Sequence, residues 1–128
     1  MNIGLFKTVT IITGVLVAGE ALALLAGMYF LSPRPNAWIS ALHTGMIILD
    51  ILCGAGLIIL ILLKASSLRN GLLLTTGLVS FAAHIYREWE YLASPTANRF
   101  LTNTPLFVVN NVKLIGLILI AGILIHFT

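Results

Sequence analysis

The chain has 128 residues, of which 59% are hydrophobic and 9% are charged, and its net charge is +3. A soluble domain carries about 25% charged residues, so the composition excludes an ordinary water-soluble globular protein. The seven basic residues form no run, so we expect them to contact lipid headgroups and predict no nucleic-acid partner. The length suits a single transmembrane domain over 1–128 with no separate soluble module.

Four apolar stretches are each long enough to cross about 30 Å of hydrocarbon as a helix. Proline-containing segments and one short polar turn separate them, and they cover 8–31, 38–63, 72–92 and 106–127. A lipid-exposed strand would leave backbone groups unpaired, which favours helices. The first stretch is too long for the core of a signal peptide, so we expect it to be retained. The sequence predicts an all-α integral membrane four-helix bundle with antiparallel, up-down topology.

Four spans place both termini on one side of the membrane, together with the polar turn between the second and third helices. Lys7, Lys64 and Arg69 lie on this side without an acidic residue nearby. The Lys and Arg counts of the two sides, on which the positive-inside rule depends, are nearly even. We interpret the chain as a multi-pass protein of the cytoplasmic membrane and favour an orientation with both termini in the cytoplasm.

Small residues indicate where helices approach one another. Gly19, Ala23 and Gly27 recur at four-residue spacing on the first helix, and Gly54 and Gly56 lie close together on the second. Such residues allow close helix packing in membranes. We expect them to line the helix contacts.

Ionisable residues inside apolar helices are costly, by roughly 2.5–3.5 kcal/mol on insertion scales, and they mark candidate functional positions. The chain has five of them, which are Glu20, His43, Asp50, His84 and Lys113. The predicted topology brings His43, His84 and Lys113 to similar depth, with Asn110 and Asn111 beside them. The third helix adds a polar stripe at three- or four-residue steps, formed by Thr76, Ser80, His84, Glu88 and Tyr91.

The first functional hypothesis is a haem b held by His43 and His84. Two imidazoles on facing helices at matching depth are typical of axial haem ligands, and a chlorin could use the same pair. Arg34, Arg87 or Lys113 would contact the propionates. The predicted function is that of a small redox subunit that passes electrons within or beside a respiratory or quinone-linked complex. In architecture alone, this resembles the small four-helix membrane cytochromes.

A transition-metal site is a second hypothesis. His43, His84, Asp50 and Glu88 would supply its ligands, with Glu20 as a further candidate. Imidazole and carboxylate together suit iron, copper or zinc. The paired Glu-x-x-His motifs of bundle di-metal sites are missing from the sequence.

A third hypothesis is a small transporter or channel, because buried carboxylates near mid-membrane often relay protons. Glu20, Asp50, Asn110 and Lys113 would line its path. A structural ion pair of Lys113 with Glu20 or Asp50 would explain the same residues without any transport.

The fourth hypothesis is a non-catalytic accessory subunit, whose polar residues would contact other membrane subunits or further copies of the chain. The sequence leaves open whether the protein is an enzyme. It contains no Gly-rich phosphate loop, no Gly-x-Ser-x-Gly, no Cys-x-x-Cys and no His-Glu-x-x-His.

Overall fold

The computed structural model describes residues 3–26, 41–93 and 104–127. These residues form four α-helices and no β-strand: α1 (Ile3–Ala26), α2 (Ala41–Leu62), α3 (Ser67–Ala93) and α4 (Thr104–Phe127). The prediction of an all-α fold with four helices is confirmed. The end of the first predicted helix, the start of the second and Arg34 lie outside the described residues.

Two helices begin five residues before the predicted positions, and α4 begins two residues early, at Thr104. α1 begins at Ile3 rather than at residue 8, and α3 begins at Ser67 rather than at residue 72. The predicted helix starts were placed where the apolar stretches begin. A helix can include polar residues before its apolar stretch when no proline interrupts it. At α3, the Ser66 hydroxyl accepts a hydrogen bond from the Arg69 N–H at 3.0 Å. This bond satisfies one of the free N–H groups of the first turn, so the connection between α2 and α3 is only 63–66.

The four helices form a ring in which each packs against two others. α1 contacts α2 and α4, and α3 contacts the same two helices. One apolar core cluster contains residues of all four helices, namely Phe6, Val17, Leu57, Ile61, Leu73, Leu117, Ile120 and Leu124. A smaller cluster of Ala21, Leu24 and Ile47 joins α1 to α2. The centre of the ring is therefore well suited to hold side chains away from solvent.

The close approach of α1 to α2 depends on Gly14 and Gly54. A Cβ atom added at Gly54 would lie 2.6 Å from the Gly14 carbonyl oxygen and 2.6 Å from the Ala18 nitrogen. The predicted seam on α1 was on the wrong face, because Gly19 and Ala23 are exposed and no heavy atom lies within 4 Å of a Cβ added at Gly19. α1 is apolar on all sides, so its small residues do not by themselves identify the packed face.

The outer surface of the helices is apolar. Large hydrophobic side chains point outward from every helix, among them Val15, Leu22, Leu52, Ile59, Leu78, Ile85, Ile115 and Ile125. Two of the helices in the described residues are long and apolar enough to cross a membrane, over Ile3–Ala26 and Thr44–Leu62. α4 contains a shorter apolar segment, Asn111–His126.

Candidate functional site

An ion pair inside the ring connects α1 to α4. The Lys113 ammonium donates a hydrogen bond to Glu20, with 2.5 Å between Nζ and Oε2. The Lys113 side chain is fully buried and that of Glu20 is 2% exposed. Both groups lie within long apolar helices, so the pair is isolated from water. A buried charge normally requires such a partner, because an unpaired charge in an apolar interior is strongly disfavoured.

Asp50 extends this pair to α2 and α3. Its Oδ1 accepts a hydrogen bond from the Ser80 hydroxyl at 3.0 Å, and its Oδ2 lies 4.0 Å from Lys113 Nζ. Asp50 and Ser80 are both fully buried. Glu20, Asp50, Ser80 and Lys113 therefore form one polar cluster, to which each helix contributes one residue. We call these four residues the interior cluster.

His84 lies on the same helix as Ser80, one turn further along the chain and on the same face. It is 2% exposed, so its imidazole is also in the interior. The hydroxyl of Thr10, another buried polar residue, donates a hydrogen bond to the Phe6 carbonyl of its own helix at 2.9 Å. His84 is therefore a buried residue on the face of α3 that carries Ser80.

The formal charges of the interior cluster do not balance. Among the side chains that the structure describes, the carboxylates of Glu20 and Asp50 face the ammonium of Lys113, which leaves one negative charge when all three are ionised and His84 is neutral. The two carboxylates also differ in their contacts with Lys113, since Nζ is 2.5 Å from Glu20 and 4.0 Å from Asp50. Asp50 is therefore the acid farther from Lys113, and its other oxygen is held by Ser80.

Three residues predicted to line a proton path, Glu20, Asp50 and Lys113, are thus brought together. The hydrogen bond from Ser80 was not predicted, although Ser80 belongs to the polar stripe on the third helix. The sequence feature that indicated the position of Ser80 was its spacing of four residues from His84, which places the two on one face of the helix. Thr76, another member of the stripe, donates its hydroxyl hydrogen to the Leu72 carbonyl of its own helix.

The cofactor hypotheses depend in part on the side chains of His43, Arg87 and Glu88, which lie outside the described part of the chain. Haem ligation by His43 and His84 therefore stays a prediction, as does the metal site. The side chain of Asn110, predicted to line the proton path, also lies outside the described part. Within the described ranges, no group of three or more His, Cys, Asp or Glu residues is placed to hold a metal ion.

Comparisons of the chain with protein-family models, curated proteins and solved structures find no match.

Proposed function

We propose that the chain is an integral membrane bundle whose four helices alternate in direction. The main support is the distribution of polarity, since the outer surface is apolar and the charged residues Glu20, Asp50 and Lys113 are buried. Such a distribution is opposite to that of a soluble protein and suits lipid as the solvent. The two long apolar segments in α1 and α2 add to this support.

The order of the contacts along the helices supports the alternating directions. Between α1 and α2, Gly14 lies beside Ile58, whereas Ala18 lies beside Gly54. Residue numbers also run in opposite senses between α1 and α4, where Thr13 lies beside Gly116 and Glu20 binds Lys113. Helices joined by a short connection are expected to be antiparallel neighbours, as α2 and α3 would be.

We further propose that the interior cluster exchanges a proton for a monovalent cation across the membrane. The observation that carries this proposal is that, among the described side chains of this buried site, the carboxylates outnumber the ammonium groups by one. Desolvation makes a net charge in such a site unfavourable. A proton or a monovalent cation would each neutralise the excess, whereas both together would reverse it. The site would therefore be occupied by one or the other, which is the requirement for coupled exchange.

Asp50 is the acid we propose to bind the exchanged ion, because Glu20 is already engaged by Lys113 at 2.5 Å. Ser80 would orient the Asp50 carboxylate through its 3.0 Å hydrogen bond. When the bound ion leaves, Lys113 could move toward Asp50 and share its charge between the two acids, because only 4.0 Å separates Nζ from Oδ2. His84 would provide a second position for the proton.

Exchange of Asp50 for asparagine tests this proposal. Asparagine keeps the shape of the side chain and a hydrogen-bond acceptor for Ser80, but it removes the excess charge. We expect Asp50→Asn to abolish proton flux driven by a sodium or potassium gradient in proteoliposomes. Thr75→Val is the control, because Thr75 is exposed and its hydroxyl donates a hydrogen bond to the Gly71 carbonyl of its own helix. Wild-type flux in the Asp50 variant would contradict the proposal and leave a structural ion pair as the explanation.

The redox subunit is the second candidate, and the burial of His84 favours it, since a ligand to haem must be in the interior. Protein expressed with haem available should then show a Soret absorption band, and His84→Ala should remove it. The control is Thr75→Val, which should keep the band. Colourless wild-type protein would exclude the haem hypothesis without affecting the proposed exchange.

A further inference from the structure

A cleft opens at the end of the bundle where α1 begins, α2 ends and α3 begins. Its volume is about 320 Å³. Phe6, Ile61 and Leu62 form its apolar wall, and Lys7, Arg69 and Asn70 form its polar side. Phe6 and Ile61 are almost fully buried, at 3% and 5% exposed. The cleft thus has a deep apolar part and a basic part in one cavity.

The described residues that line the cleft include no acidic residue, so the basic part has no acidic partner among them. Arg69 is held by two neutral acceptors: Nη1 donates to the Leu63 carbonyl at 3.2 Å, and Nε and Nη2 donate to the Asn70 side-chain oxygen at 3.1 and 2.7 Å. These bonds orient the guanidinium without neutralising its charge. The charge and orientation of this guanidinium therefore favour binding of an anion in the cleft.

The direction of α3 adds to this preference. Its first turn begins at Ser67, and Asn70 of the cleft belongs to that turn. The N-terminal end of a helix carries a partial positive charge that attracts anions. Lys7, Arg69 and the start of α3 therefore contribute positive potential to one cavity.

We propose that this cleft binds the phosphate group of an anionic glycerophospholipid, with the first part of an acyl chain against Phe6, Ile61 and Leu62. The basic side chains would bind a phosphate from any source, but only a lipid would also cover the apolar wall. The proposal rests on the proposed placement of the bundle in a membrane, which brings this end of the helices to the lipid headgroups. It is independent of the exchange proposed for the interior cluster.

The test measures binding of phosphatidylglycerol to the detergent-solubilised protein by native mass spectrometry, with phosphatidylcholine as the neutral comparison. We expect a basic side chain in contact with the anionic headgroup to contribute about fivefold to binding of the lipid. Lys7→Gln and Arg69→Gln should each weaken phosphatidylglycerol binding by about this factor. Arg69→Lys should retain most of it, which separates loss of charge from loss of folding.

Lys64→Gln is the matched control, because Lys64 is exposed at the same end of the bundle but does not line the cleft. It removes the same charge and should leave binding unchanged. Equal losses in the Lys64 and Arg69 variants would overturn the proposal, because the effect would then be one of net charge alone. Displacement of the lipid by millimolar inorganic phosphate would identify a free-phosphate site instead. Asp50→Asn should bind phosphatidylglycerol as the wild type does. A failure of the exchange proposal would therefore be distinguishable from a failure of the lipid proposal.

Discussion

Replacing Lys113 with methionine is expected to lower the free energy of unfolding by about 3–5 kcal/mol, which is typical when one partner of a buried ion pair is removed. Methionine fills a similar volume, so the loss would come from charge rather than from a cavity. Glu20 would keep its buried carboxylate without the ammonium 2.5 Å away, and Asp50 would lose the ammonium 4.0 Å away. Unfolding in mild detergent, followed by circular dichroism, provides the measurement.

Two further variants separate the ion pair from the general effect of losing a lysine. Lys64→Met removes an exposed lysine and should change stability by no more than about 0.5 kcal/mol. The double variant Glu20→Gln/Lys113→Met removes both partners and should recover part of the stability lost in Lys113→Met, since contacting residues are not additive. A Lys113 variant as stable as the Lys64 variant would show that the pair contributes nothing.

Replacing Gly54 with valine is expected to destabilise the protein by about 3 kcal/mol, at the upper end of the usual range for overpacking. The new side chain would meet the Gly14 carbonyl oxygen and the Ala18 nitrogen, both of which are backbone atoms. Neither can rotate away, so α1 and α2 would have to separate. The same unfolding measurement in detergent gives the size of the loss.

Gly19→Ala is the control for this prediction and should stabilise the protein rather than destabilise it. An added Cβ at Gly19 meets no heavy atom within 4 Å, and alanine favours a helix interior over glycine by about 1 kcal/mol. Destabilisation by Gly19→Ala, or a neutral Gly54→Val, would contradict the assignment of the packed face of α1.

The number of helices could be predicted from the sequence, because apolar stretches and proline or polar segments alternate along the chain. The orientation of α1 could not. α1 has apolar residues on all sides, and the spacing of Gly19 and Ala23 indicated the face that is in fact exposed. The true contact at Gly14 and Gly54 depends on the partner helix, which no local pattern in α1 identifies. The start of α3 was also missed, because the polar residues after Ser66 belong to its first turn.

The members of the interior cluster could be named from the sequence because charged residues within apolar helices are rare. Their pairing could not be derived in the same way. Lys113 had two candidate partners, Glu20 and Asp50, and the choice depends on how α4 is rotated relative to α1 and α2. The structure places Lys113 closer to Glu20. Hydrogen bonding of Asp50 to Ser80 likewise depends on the register between α2 and α3, which periodicity alone does not determine.

The most direct test of the proposed exchange is a count of the protons that sodium ions displace from the protein. Purified wild-type protein in weakly buffered detergent solution should release up to about one proton per chain when sodium chloride is added, because the interior cluster has one carboxylate in excess of its ammonium group. A pH-indicator dye would record the release, and Asp50→Asn should release none. Sodium binding without proton release, or equal release by both proteins, would contradict the account.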